Sequence, residues 1–213
     1  MFSDEDLKKV RAAVQAAERR TRGEIVPMVV RRSAYYREAR HLAGLAVAIV
    51  AVTLLLAFQH GWGHWAGPRY YFGWVLLGGI VAYVFGHWAG SQPFGIRLFI
   101  SQERMKHKVR LRAELAFYQH GLHKTQEGTG ILILLSLLER RVQILADQAI
   151  NDRVPPGTWD TVVYDLVEGI KHGRQTDALC AAIARCGHLM AEQYPADGKT
   201  ANTDELPDDL IQE

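Results

Sequence analysis

The sequence predicts an α/β protein, a small mixed β-sheet sandwiched by helices and interrupted by a two-helix transmembrane hairpin. Three observations lead there. Residues 42–58 (LAGLAVAIVAVTLLLAF) carry no charge and residues 70–90 (YYFGWVLLGGIVAYVFGHWAG) are apolar apart from His87, so each has the composition of a bilayer span. Residues 130–150 (GILILLSLLERRVQILADQAI) hold two apolar runs on either side of Glu139-Arg140-Arg141. The first run falls short of the roughly 20 residues that a hydrocarbon core demands, and adjacent arginines are costly in lipid. Its Ile and Leu content favours a buried strand, and the alternation of Val142, Ile144 and Ala146 with Gln143 and Leu145 favours a second, joined to the first by a turn near Leu138 to Arg140. Thirdly, the remaining segments show helical periodicity with capping residues at their starts.

In chain order, Ser3 with Asp6 three residues on predicts a capping box, and Leu7, Val10, Val14 and Ala17 fall on one face of a helix running to about Arg20. Thr21-Arg22-Gly23 breaks it. Glu24 to Arg31 (EIVPMVVR) reads as a strand, and because Pro27 lacks an amide hydrogen the strand is expected at an edge or bulged. After the two spans, Met105, Val109, Ala113, Ala116 and Phe117 line a second amphipathic helix ending near Gly121, and the strand pair follows. Pro155-Pro156-Gly157 stops the chain. Thr158 is the expected cap of a helix with Trp159, Val162, Val163, Leu166 and Ile170 inward. Gly173 ends that helix, and Thr176 is the expected cap of the last, with Leu179, Ala182, Ile183, Cys186 and Met190 inward. The expected division is residues 1–40 and 96–196 as two parts of one domain, 41–95 as the membrane hairpin, and 197–213 as a mobile acidic tail.

The net charge is only +2, and the mean hydropathy of −0.08 conceals the spans because the rest of the chain is highly charged. Basic residues cluster beside the membrane segments: Arg31, Arg32, Arg37 and Arg40 before the first span, and Arg97, Arg104, Lys106, Lys108, Arg110 and Arg112 after the second. The connecting loop offers only Arg69, so the positive-inside bias places both termini in the cytoplasm and the loop with Trp62 and Trp65 on the other side. The charged, helical start of the chain is unlike a signal peptide. The partner implied is the lipid bilayer, with a membrane or cytoplasmic protein beside it, and nothing in the charge pattern implies a nucleic acid. Cys180 and Cys186 stand about 240° apart around one helix, which excludes a pair between them or a metal motif.

Several stretches resemble the TPM domain family, in its bacterial branch with an inserted transmembrane hairpin: TRGEIVPMVVRRS (21–33) followed by Tyr35, TGILILLSLLERRVQILAD (129–147), AINDRVPPGTWDTVV (149–163) and ELPDD (205–209). The resemblance implies an α/β sandwich with residues 130–147 as its central hairpin. It also implies a choice of roles, since relatives include acid phosphatases, proteins that bind divalent cations such as calcium, and assistants of membrane complexes. Carried over residue by residue, it points to Asp147 where the second strand exits, Asn151 and Asp152 in the next loop, and Asp160 at the following helix start. Their hard oxygen ligands suit calcium or magnesium.

Each candidate has a plain counterpart. Loop acids such as Asp147 and Asp152 commonly cap the next turn, and Glu139, Arg140 and Arg141 could hold a phosphate or merely solvate a hairpin tip. Glu24 could face a site or pair with an arginine. Cys180 to Arg185 has one residue too few for the Cys-x5-Arg phosphate loop, no suitable Asp-x-Asp is present, and Gly198-Lys199-Thr200 lacks the first P-loop glycine because Gln193 stands there. His60 with His64, and His120 with His123, have metal-like spacings, but Gly61 and Gly63 oppose a helix at the first pair and the second reads as surface. The expectation is a membrane-anchored interaction or assembly module at the inner membrane, with a metal-assisted phosphatase as the alternative.

Overall fold

The computed structural model describes residues 2–62, 68–125, 128–196 and 206–213. They fall into two compact units, Met1–Ala34 with Lys106–Glu213, and Tyr35–Met105.

The first unit is built on a four-stranded sheet of order β3-β2-β1-β4, in which β1 is Glu24–Val30, β2 Gly130–Ser136, β3 Arg141–Ala146 and β4 Ile211–Gln212. β1 runs parallel to β2, with Glu24 opposite Gly130 and Val30 opposite Ser136, and β2 and β3 form the antiparallel hairpin, with Ile133 opposite Ile144. All seven residues of β1 and all seven of β2 are buried, as strands covered on both faces must be. Period-two alternation sorts their side chains. Ile25, Val29, Ile131, Ile133, Leu135 and Ile144 face a core completed by helices α1 (Asp4–Glu18), α7 (Thr158–Lys171) and α8 (Gln175–Gln193). Val26, Met28, Val30, Leu132 and Leu134 face Val109, Ala113 and Ala116 of α5 (Gln102–Gln119).

The helix starts obey local chemistry. The Ser3 hydroxyl accepts from the Asp6 amide at 3.2 Å while the Asp6 carboxylate accepts from the Ser3 amide at 2.9 Å, closing the capping box on α1. α8 lies close enough to α1 that a Cβ on Gly187 would stand 2.6 Å from Ala17 Cβ. Two expected caps are corrected. Gly157, at φ 85°, is the residue before α7, and the Thr158 hydroxyl donates to the Pro155 carbonyl at 2.8 Å. Thr176 lies inside α8, and its hydroxyl donates instead to Asp6 at 2.9 Å, tying α8 to α1.

β1 is flanked on both sides, which corrects the edge placement drawn from Pro27. Successive backbone groups of a strand point to opposite flanks. Glu24 and Val30 bond toward β2, while the outer flank is shared: the Ile25 amide donates to Glu18 Oε1 at 2.9 Å, the Val29 carbonyl accepts from the Glu213 amide at 2.9 Å, and the Arg31 amide donates to the Glu213 carbonyl at 2.7 Å. Pro27 belongs to this outer series, and β4 pairs only from Met28 onward, so the missing donor faces no strand. The segment that makes β4 was expected to be mobile. Residues 206–213 instead lie against the domain, because Leu210 is buried in one core and Ile211 packs on the other. Residues 197–205, including Gly198-Lys199-Thr200, lie outside the described residues.

The second unit comprises α2 (Arg37–Trp62), α3 (Pro68–Ala89) and the short α4 (Pro93–Phe99). Two segments, Arg37–Phe58 and Phe72–Ala89, are long and apolar enough to cross a membrane. α2 and α3 approach through small residues: a Cβ on Gly86 would lie 2.7 Å from the Ala43 carbonyl oxygen and 2.9 Å from Gly44 Cα. Tyr83 OH and His41 Nδ1 bond at 2.9 Å across the pair. His64 and Trp65 lie outside the described residues.

Candidate functional site

The acidic positions carried over from the family resemblance surround a one-turn helix, α6 (Gln148–Asn151), at the exit of β3. Asp147 is its N-cap and accepts from the Gln148 amide at 2.6 Å. Both ends of the Asn151 amide are engaged, the nitrogen donating to the Ala146 carbonyl at 2.8 Å and the oxygen accepting from the Trp159 indole at 2.9 Å. Asp152 is the C-cap of α6, and Asp160 is exposed in the first turn of α7. Among the described residues no group of three or more His, Cys, Asp or Glu side chains is gathered as ligands of one ion. The polar groups of this corner hold the backbone where β3 becomes helix.

At the carboxyl end of β1 and β2 the geometry is more deliberate. Glu139 is only 5 % exposed, so it does not solvate the hairpin tip. Its carboxylate accepts from the Ser33 amide at 3.0 Å and from the Ser136 hydroxyl, while the Ser33 hydroxyl donates to Ser136 Oγ at 2.9 Å. The Leu137 and Leu138 amides donate to the carbonyls of Val30 and Arg31, both at 3.0 Å. The β2–β3 turn is thereby fastened to the chain just before it enters α2. Arg140 closes the turn at φ 50°, a left-handed conformation that an arginine rarely takes.

A second cluster closes the opposite flank of β1. Glu18, 7 % exposed, receives the Ile25 amide, and the Asp208 carboxyl lies within hydrogen-bonding reach of it. Burial first, then the negative charges of Glu24 and Asp208, outweigh that amide and push the Glu18 carboxyl up to about 9, so it carries its proton at neutral pH. The tail that brings Asp208 is pinned along its length: Gln15 donates to Asp208 at 2.8 Å, Arg11 pairs with Asp209, and Arg112 pairs with Glu213. His120 also reaches Glu213, at 3.9 Å. Glu24 is 2 % exposed. Neither thiol is a ready nucleophile: burial pushes Cys186 up to about 12 and raises Cys180 as well.

Sheet, layers and the interrupting hairpin define the class, a three-layer α/β domain split in sequence by two apolar helices. Within it, residues 96–189 match the family model described as TPM domain. The structure is similar to the NMR structure of BA42 protein from the psychrophilic bacterium Bizionia argentinensis, with a TM-score of 0.61 and 18% identity over 100% of this chain and 96% of that one, a likeness of fold. No curated protein matches the chain.

Proposed function

We propose that the protein is anchored in the bacterial inner membrane by α2 and α3, keeps both termini in the cytoplasm, and uses its TPM domain as an interaction or assembly module for a membrane or cytoplasmic protein. The observation that carries this reading is the outward face of the apolar hairpin. Only 11% and 6% of the two candidate windows are buried, and Leu54, Phe58, Trp74, Leu76 and Trp88 are all at least 60% exposed. A contiguous apolar surface of this kind is stable only when lipid or another apolar surface covers it. The basic residues on both sides of the hairpin favour a cytoplasmic face for the domain. The use of Asp147, Asn151 and Asp152 in capping and backbone bonds favours binding over hydrolysis, which needs a cation or strong base beside an attacking water. Two measurements test the proposal. A reporter fused after Glu213 should give the cytoplasmic signal, and a periplasmic signal there overturns the orientation. The full chain in uncharged detergent should show no turnover of an aryl phosphate with or without calcium or magnesium. Metal-dependent turnover that tracks Asp147 would replace the module by a phosphatase.

A further inference from the structure

The groove beside the β2–β3 turn has no part in the reading above, and its chemistry is two-sided. It occupies about 530 Å³ at the carboxyl end of β2, where open α/β sheets place their ligands. One wall is apolar, formed by Leu137, Val142, Val167 and Ile170. The other is cationic, with Arg140 from the turn and Lys171 from the last turn of α7. Ser136 also lines it, but its hydroxyl is committed to Glu139.

Three features mark the cationic wall as more than a solvated hairpin tip. Arg140 is exposed and held at φ 50°, where glycine or asparagine would sit without strain, so the turn keeps an arginine at a conformational cost. Glu139, the carboxylate between these strands, is buried and turned toward Ser33 and Ser136, which leaves the exposed Arg140 as the turn's outward charge. Lys171 bonds Glu168 Oε1 at 2.7 Å, and an ammonium with three donors can keep that bond and serve an anion as well. Guanidinium groups match the paired oxygens of a phosphate, and the apolar wall suits a hydrocarbon chain attached to it.

We propose that this groove binds an anionic phospholipid, with the phosphate between Arg140 and Lys171 and the start of an acyl chain along Val142, Val167 and Ile170. For the source of the lipid it rests on the membrane placement proposed above. The turn is bonded to Val30, Arg31 and Ser33, and four residues after Ser33 the chain becomes the first apolar helix.

The test is calorimetric titration of the full chain in maltoside micelles with soluble dihexanoyl phosphatidic acid, dihexanoyl phosphatidylcholine and inorganic phosphate. Saturable binding of the phosphatidic acid is expected, with inorganic phosphate and the zwitterionic lipid each weaker by about tenfold or more. Arg140→Gly relieves the turn, so it should fold at least as well as the parent while weakening phosphatidic acid by about tenfold, and Lys171→Gln should weaken it severalfold. Phosphatidic acid affinity unchanged in Arg140→Gly overturns the proposal, as does equal binding of phosphatidylcholine. Inorganic phosphate binding as tightly as phosphatidic acid removes the role of the apolar wall and with it the lipid. A chain that binds the soluble lipid yet fractionates away from membranes refutes the anchoring, and one that is membrane-embedded yet does not bind refutes only the groove.

Discussion

Replacing Glu18 by glutamine should stabilise the domain at neutral pH, by an amount that grows with pH. The Glu18 carboxyl titrates near its ordinary 4.5 in the unfolded chain and at about 9 in the folded one. A folded pKa raised above the unfolded value gives stability that is fully present below pH 4.5 and is lost as pH climbs from there through 9. At pH 7 the unfolded chain has already given up its proton and must recover it to fold, which at about 1.4 kcal/mol per unit costs about 3 kcal/mol. Glutamine removes this requirement. Its amide oxygen can still accept from Ile25, and its nitrogen can donate to Asp208, so the closure of the β1 flank survives. Urea unfolding of the full chain in uncharged detergent, followed by circular dichroism from pH 4 to 8, measures the gap. Parent and variant should coincide near the acidic end and separate by about 3 kcal/mol at pH 7. Parallel curves across the range would refute the assignment of a protonated carboxyl to this flank.

Other perturbations read other parts of the molecule. Ile133→Asp places a charge in the middle of β2, where the side chain is 0% exposed, and should cost several kcal/mol and abolish the cooperative transition. Gly86→Ala drives a methyl group to 2.7 Å from the Ala43 carbonyl and should separate α2 from α3, seen as lost efficiency of a disulfide engineered between them. Asp147→Ala removes the α6 cap and should cost about 1 kcal/mol whether or not calcium or magnesium is added, read by melting temperature. Replacing residues 41–95 by a short flexible linker should leave a soluble chain that melts cooperatively, because β1 pairs directly with β2; aggregation of every linker variant would count against it.

Long, uniform signals were legible in the sequence. The two long apolar helices follow from unbroken apolar runs, the β2–β3 hairpin from alternation around a charged turn, and the α1 capping box from the spacing of Ser3 and Asp6. What escaped is decided by contacts between distant residues. The rule for Pro27 correctly anticipated a missing ladder bond, yet β1 is internal because its outer neighbour is a two-residue strand that begins one position later. That strand, Ile211–Gln212, has no periodicity to announce it, and Leu206, Leu210 and Ile211 were the signal available within an acidic tail. Glu139 has the spelling of a tip residue, and only the return of Ser33 to the same corner makes it a buried acceptor. Asp147 was singled out for its carboxylate, and the structure gives that carboxylate a backbone amide to cap.

The parallel pairing of β1 with β2 also imposes an order on biosynthesis. Ser33 and Glu139, which close the corner beyond this pair, are 106 positions apart, and both candidate spans are made between them. At about 5–20 residues per second, β1 leaves the ribosome roughly 5–20 s before its partner strand exists. Throughout that interval EIVPMVV is an unpaired apolar segment followed by two long apolar helices, and its only internal interruption is Pro27. A proline that offers no donor to a passing strand is then a safeguard for the nascent chain, independent of anything it does in the finished sheet.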